Sequence, residues 1–124
     1  MKFTNTDKAP AALGPYSQAV AVNGLLFTSG QIALDPATGE VVGTNVQEPA
    51  EQVMKNLGAV LEANGLTYTD AVKTTCFLAD MNDFAAFNEI YGKYFTAKPA
   101  RSCVAVKTLP KNMLCEVEVI AEMK

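Results

Sequence analysis

From Met113 to Glu122 the chain alternates with a period of two. Glu116, Glu118 and Ile120 share one face of an extended strand, and Cys115, Val117, Val119 and Ala121 share the other. One face is too apolar for water, so this strand belongs to a sheet with a covered side. Two segments of helical periodicity can supply the cover. Val46, Ala50, Val53, Leu57 and Val60 line one face of a helix that starts after Thr44 or Asn45, tolerates Pro49 in its first turn and stops at Asn64-Gly65. A second helix begins near Asn82-Asp83 and ends before Pro99. It carries Phe84, Phe87, Tyr91 and Tyr94 or Phe95 along one stripe, which reads as core.

The remaining apolar runs read as strands. A short segment lies around Phe3-Thr4, followed by an irregular loop from Pro10 to Gln18 that holds two prolines and Gly14. Ala19–Val22 and Leu25–Ser29 form a hairpin about Asn23-Gly24. In Ala71–Leu78, the side chains of Val72, Thr74, Cys76 and Leu78 share a face. Arg101–Lys107 and Met113–Glu122 are expected to pair as a hairpin across Leu109-Pro110-Lys111-Asn112. The order strand, strand, helix, strand, helix, strand, strand implies an α+β layer, with both helices on one sheet face, as one domain over residues 1–124. The other face mixes small and apolar residues, and self-association is the economical way to cover it.

Composition removes several chemistries. The chain has no histidine, so it has no Ser-His-Asp or Cys-His pair, no imidazole metal ligand and no histidine base. Cys76, Cys103 and Cys115 are scattered through apolar runs and are expected to be reduced, buried thiols rather than a metal site. A net charge of −3 argues against a nucleic-acid surface, which needs cations to neutralise phosphates. No apolar run approaches the roughly 20 residues that cross a bilayer, and Met1–Lys8 holds no apolar segment of signal-peptide length. A soluble, cytoplasmic protein is expected.

One basic residue stands apart. Arg101, in Lys98-Pro99-Ala100-Arg101-Ser102-Cys103, is the only arginine; every other basic side chain is a lysine. A guanidinium at the mouth of an apolar strand suits a planar anion, because its rigid fork pairs bidentately with a carboxylate or phosphate. A structural ion pair with Glu116 or Glu118 is the alternative, and spacing alone does not choose. Ser29-Gly30-Gln31, where a strand leaves the sheet, either relieves a bend or lets a small ligand approach the main chain.

Several stretches, in order and across nearly the whole chain, resemble the reactive-intermediate deaminase family, also called YjgF or RidA. They are Gly14-Pro15-Tyr16-Ser17-Gln18-Ala19, Thr28-Ser29-Gly30-Gln31, Lys73-Thr74-Thr75-Cys76, Asn82-Asp83-Phe84, Pro99-Ala100-Arg101-Ser102-Cys103-Val104, Leu109-Pro110-Lys111 and Glu116-Val117-Glu118-Val119-Ile120-Ala121. The resemblance implies a chorismate-mutase-like mixed sheet in a homotrimer, with sites in the clefts between subunits. It implies hydrolysis of 2-imino acids and their enamine tautomers, such as 2-iminopropanoate and 2-iminobutanoate, to 2-oxo acids and ammonia, with no cofactor and no metal. Arg101 would hold the substrate carboxylate, Glu116 would position or activate the water, and the Cys103 carbonyl would help hold it. Tyr16, Ser29, Gly30 and Asn88 would line the cleft. The connection between Phe95 and Pro99 is short beside that of many relatives, which bears on the cleft next to Arg101 and on side-chain preference. Two other functions are attached to such proteins: non-catalytic binding of small carboxylic or 2-oxo acids, and ribonuclease or translation-inhibitor activity.

Overall fold

The computed structural model describes all 124 residues. Its strands and α-helices follow as β1 (Lys2–Thr4), β2 (Ala19–Val22), β3 (Leu25–Thr28), α1 (Gln47–Glu62), β4 (Ala71–Leu78), α2 (Phe84–Tyr94), β5 (Ala100–Ala105) and β6 (Cys115–Glu122). They form one six-stranded sheet in the order β1-β2-β3-β6-β4-β5. Asn23 and Gly24 both have positive φ, at 51° and 78°, the geometry that a two-residue hairpin between β2 and β3 demands. The α+β reading holds, with two helices and a mixed sheet.

The expected hairpin between the last two strands does not form. Strand β6 pairs antiparallel with β4 on one side and with β3 on the other, while β5 pairs in parallel with the far edge of β4. Burial and connection length explain the difference. The core-facing side of β6 is wholly buried, and such a strand is best used where both edges are hydrogen-bonded. Strand β5 is half-exposed along its length and suits an edge. The helix α2 makes the long crossover that a parallel β4–β5 pair requires. Residues 106–114, turning through Lys111 and Asn112 at positive φ, then carry the chain to the opposite side of β4.

Alternation in β4 holds from Thr74 onward. Thr74, Cys76 and Leu78 are fully buried, but Val72 is 48% exposed because the β4–β6 ladder shifts register between Ala71 and Lys73. Under the sheet, Val53, Leu57, Val60 and Leu61 of α1 join Phe87 of α2 in a dry core. The opposite face carries a cross-strand row spanning all six strands: Phe3, Val20, Phe27, Ile120, Lys73 and Ala100. Phe3 and Phe27 in this row are exposed. No helix is long and apolar enough to cross a membrane.

Asn56 is the polar exception within α1. It is 1% exposed, and its amide donates to the carbonyls of Ile32 at 3.1 Å and Leu34 at 3.0 Å while accepting from Gln52 at 2.9 Å. This side chain ties the irregular segment after β3 to the helix layer. Asn56→Leu should therefore lower the unfolding free energy by about 1–3 kcal/mol, since both carbonyls lose their side-chain donor. Urea titration monitored by circular dichroism checks the loss, and an unchanged midpoint would contradict the role.

Candidate functional site

In the parallel β4–β5 ladder Arg101 lies opposite Thr74, and paired residues project to the same face. Thr74 points into the core, so Arg101 turns toward the helix layer and meets α2. There Asn88 Oδ1 accepts a hydrogen bond from Nη1 at 2.5 Å. The Tyr91 ring centre lies 4.7 Å from the guanidinium carbon, and that of Phe84 5.5 Å. Thr74 Oγ1 and the Tyr91 hydroxyl are hydrogen-bonded at 2.7 Å. Arg101 is half-buried at the wall of a cleft of about 560 Å³ that also touches Asn88, Phe95, Lys98 and Pro99.

Neither glutamate reaches Arg101. The one ion pair in the chain joins Lys124 to Asp70 at 3.5 Å, so the structural pairing left open by spacing is not made. Register gives the reason. Glu116 lies opposite Phe77 and Glu118 opposite Thr75, residues of opposite parity to Thr74 on the same strand. The two carboxylates therefore project from the uncovered sheet face, and Arg101 from the other. Arg101 and the two carboxylates thus share no surface within one chain.

A second cleft, of about 510 Å³, forms around Glu116 and gathers Tyr16, Ser29 and Gly30, with Leu13 and Ile32 among its apolar walls. It opens because the chain bows away from β6 after β3. The Thr28 hydroxyl accepts from Val119 N–H at 2.9 Å in place of a backbone carbonyl. Gln31 restores the ladder opposite Val117 through bonds of 2.8 and 3.2 Å. The Ser29 hydroxyl donates to the Ser17 carbonyl at 2.5 Å, which ties the bow to the Pro10–Gln18 loop. Gln18, 2% exposed, holds that loop from within by bonding Thr6 and Pro10. Gly30 has a steric cause: a Cβ there would overlap the Glu116 carboxylate. Tyr16 stands 55% exposed at the rim.

Burial, reinforced by the neighbouring Glu118 carboxylate, pushes the Glu116 carboxyl above its ordinary value. Cys76 and Cys115 are buried as expected, and burial pushes both thiols up to about 12. Cys103 is only half-buried, because β5 is an edge strand, and lies opposite Cys76. Desolvation raises its thiol as well, partly offset by Arg101, so it stays protonated at neutral pH and is a poor nucleophile.

The sequence-derived candidates thus separate into two groups. Tyr16, Ser29, Gly30 and Glu116 surround one cleft; Asn88 and Arg101 line the other; Cys103 follows Arg101 on the same face of β5. Sequence reading missed Tyr91 and Phe84, which it assigned to core alone. The available signal was the spacing of Phe84, Asn88 and Tyr91, which places an amide between two rings on one helical stripe.

The chain is similar to known proteins along its whole length. The family model described as Endoribonuclease L-PSP matches residues 6–123. A mouse protein named 2-iminobutanoate/2-iminopropanoate deaminase is 50% identical over 121 residues, covering 97% of this chain and 90% of the mouse protein. The crystal structure of a Thermotoga maritima protein superposes with a TM-score of 0.97 at 50% identity, covering 100% of this chain and 98% of that one. The structure of E. coli TdcF with bound serine superposes with a TM-score of 0.94 at 42% identity, covering 100% of each chain.

The raised carboxyl of Glu116 has a stability consequence of definite sign. A group that binds its proton more tightly when folded favours folding in acid and costs stability as pH rises through its raised pKa. Glu116→Gln should therefore melt at a higher temperature than the parent chain at pH 7. The gap should shrink as pH falls below the ordinary carboxylate range. Scanning calorimetry at several pH values tests this, and a variant less stable at pH 7 would contradict it.

Proposed function

We propose that this chain, which belongs to the Endoribonuclease L-PSP (YjgF/RidA) family, is a cofactor-free hydrolase. It converts 2-iminopropanoate, 2-iminobutanoate and their enamine tautomers to 2-oxo acids and ammonia, at sites formed between copies of itself. The observation that carries this reading is the unpaired guanidinium of Arg101, half-buried and held by Asn88 with no carboxylate of its own chain in reach. A small organic carboxylate is its natural partner.

Arg101 and Glu116 project from opposite sheet faces, so the chemistry needs the Arg101 cleft of one copy against the Glu116 cleft of another. The uncovered face, with Phe27 41% and Val104 47% exposed, supplies apolar area for that association. A homotrimer with three such clefts is the assembly proposed. The naming of the mouse relative as a deaminase supports the reaction. The serine bound by TdcF supports a pocket for a small amino-acid skeleton.

In the reaction Arg101 grips the carboxylate and fixes the C=N carbon in place. A protonated imine is already electrophilic, so the site must chiefly orient a water, and orientation alone lowers barriers by several kcal/mol. Glu116 takes a proton from that water as its oxygen bonds to carbon, while the Cys103 carbonyl holds the water. The proton then passes to nitrogen, the C–N bond breaks as the hydroxyl proton moves to Glu116 and the carbonyl forms, and ammonia leaves a 2-oxo acid behind. Tyr16, Ser29, Gly30 and Asn88 line the pocket. The carboxylate grip without turnover would make a regulatory binder. A ribonuclease is opposed by the net charge of −3 and the lack of histidine.

Arg101→Ala should cost on the order of 2–5 kcal/mol in kcat/KM, because the substrate carboxylate loses its buried partner. Ammonia release from an imine generated in situ by an amino-acid oxidase measures it, and unchanged turnover would refute the assignment. Acid binding by calorimetry without turnover in the parent chain would favour the regulator. Arg101→Ala and Glu116→Gln, each inactive, should recover activity when unfolded and refolded as a mixture, since mixed assemblies contain sites with both native groups. Turnover should also fall on acidification as Glu116 takes up its proton, with the midpoint above that of an ordinary carboxylate. Glu118→Gln should move that midpoint downward by removing the like charge.

A further inference from the structure

Phe87 and Tyr91 both belong to the buried core, but core packing alone does not account for the polar and cationic neighbours of Tyr91. The Tyr91 ring stacks on Phe95 at 4.8 Å and lies 4.7 Å from the guanidinium carbon of Arg101. Its hydroxyl is hydrogen-bonded to Thr74, a fully buried residue directly opposite Arg101 in the β4–β5 ladder. These contacts close a circuit: Thr74 fixes Tyr91, Tyr91 faces the guanidinium, and the ladder ties the Arg101 backbone to Thr74. A single hydrogen bond from Nη1 to Asn88 would leave the guanidinium free to tilt about that bond. A ring locked at its far end restricts the tilt.

Resting on the carboxylate-binding role given to Arg101 above, we propose that Tyr91, locked by Thr74, is a positioning residue that sets the plane of the guanidinium for bidentate pairing. Bidentate pairing needs the fork and the carboxylate to be nearly coplanar. A fork held in that plane beforehand loses little freedom when the acid arrives. Asn88 occupies one of the five N–H donors and leaves the others for substrate. Tyr91 touches no reacting atom; its effect passes through Arg101.

The test compares Tyr91→Leu, Tyr91→Phe, Thr74→Val and Thr74→Ser with the parent in the full-length protein. Four quantities are read: KM and kcat for imine hydrolysis, the Kd of 2-oxobutanoate by calorimetry, and the Arg101 Nε–H resonance by NMR. Tyr91→Leu should raise KM and Kd by about 3–30-fold as the ring is lost, with a smaller change in kcat, and should shift the Arg101 resonance by removing the ring current. Tyr91→Phe and Thr74→Val should each raise KM and Kd by about 2–10-fold through the lost hydroxyl bond. Combining them should add little, because both delete the same contact, and Thr74→Ser should retain parent values. If Tyr91→Leu fails to fold, the hydroxyl pair and its rescue by serine carry the test alone. Unchanged KM, Kd and Arg101 resonance in Tyr91→Phe and Thr74→Val would overturn the proposal. Arg101→Ala separates the two failures. If it abolishes binding while the Tyr91 and Thr74 variants behave as the parent, only the positioning role falls; if it leaves binding and turnover intact, the carboxylate site itself falls.

Discussion

The fold depends on β6 being hydrogen-bonded along both edges. Its antiparallel ladders to β3 and β4 join the N-terminal half of the sheet to the C-terminal half. Because β3 and β4 both run opposite to β6, they run parallel to each other, and α1 is the crossover between them. The same ladders set the facing of Glu116 and Glu118. Val117 and Val119 must enter the core, which sends Glu116 and Glu118 to the uncovered face. A slip of one residue would bury two carboxylates and expose the valines, at a cost that leaves only one register.

Strand register sends Arg101 and the two carboxylates to opposite faces of the sheet. Arg101 finds an amide and two aromatic rings in its own chain, but no anion. Glu116 sits half-buried beside a second carboxylate and a glycine whose missing side chain makes room for it. Each arrangement withholds the partner that a purely structural charge would have, which is the ground for the intersubunit site proposed above. Each of these groups is backed by side-chain hydrogen bonds between neighbouring elements. Thr74 and Tyr91 back the guanidinium, while Thr28, Ser29 and Gln18 hold open the bow beside Glu116.

Much of this was legible in the residues. The hairpin at Asn23-Gly24, both helices and the presence of the strands follow from turn chemistry and local periodicity, while the last two strands are each shorter than expected. Arg101 was marked out by its chemical isolation among lysines, and the structure leaves it without an ion-pair partner in its own chain. The pairing of the last two strands did not follow. Nearness in sequence suggested a hairpin, whereas the apolar run of β4 required a neighbour on each edge. Nor did the contact of Tyr91 with Arg101, since a ring that packs in a core and a ring that faces a cation share the same helical spacing.

By itself the sequence determined the elements, the buried faces of both helices and of β6, and the short set of groups able to do chemistry, because those follow from residue types and spacings close along the chain. Only the tertiary structure decided which strands are neighbours, and therefore that Arg101 and Glu116 leave the sheet on opposite sides. Strand order is settled by competition among distant edges for hydrogen bonds and buried area, and no local pattern records its outcome.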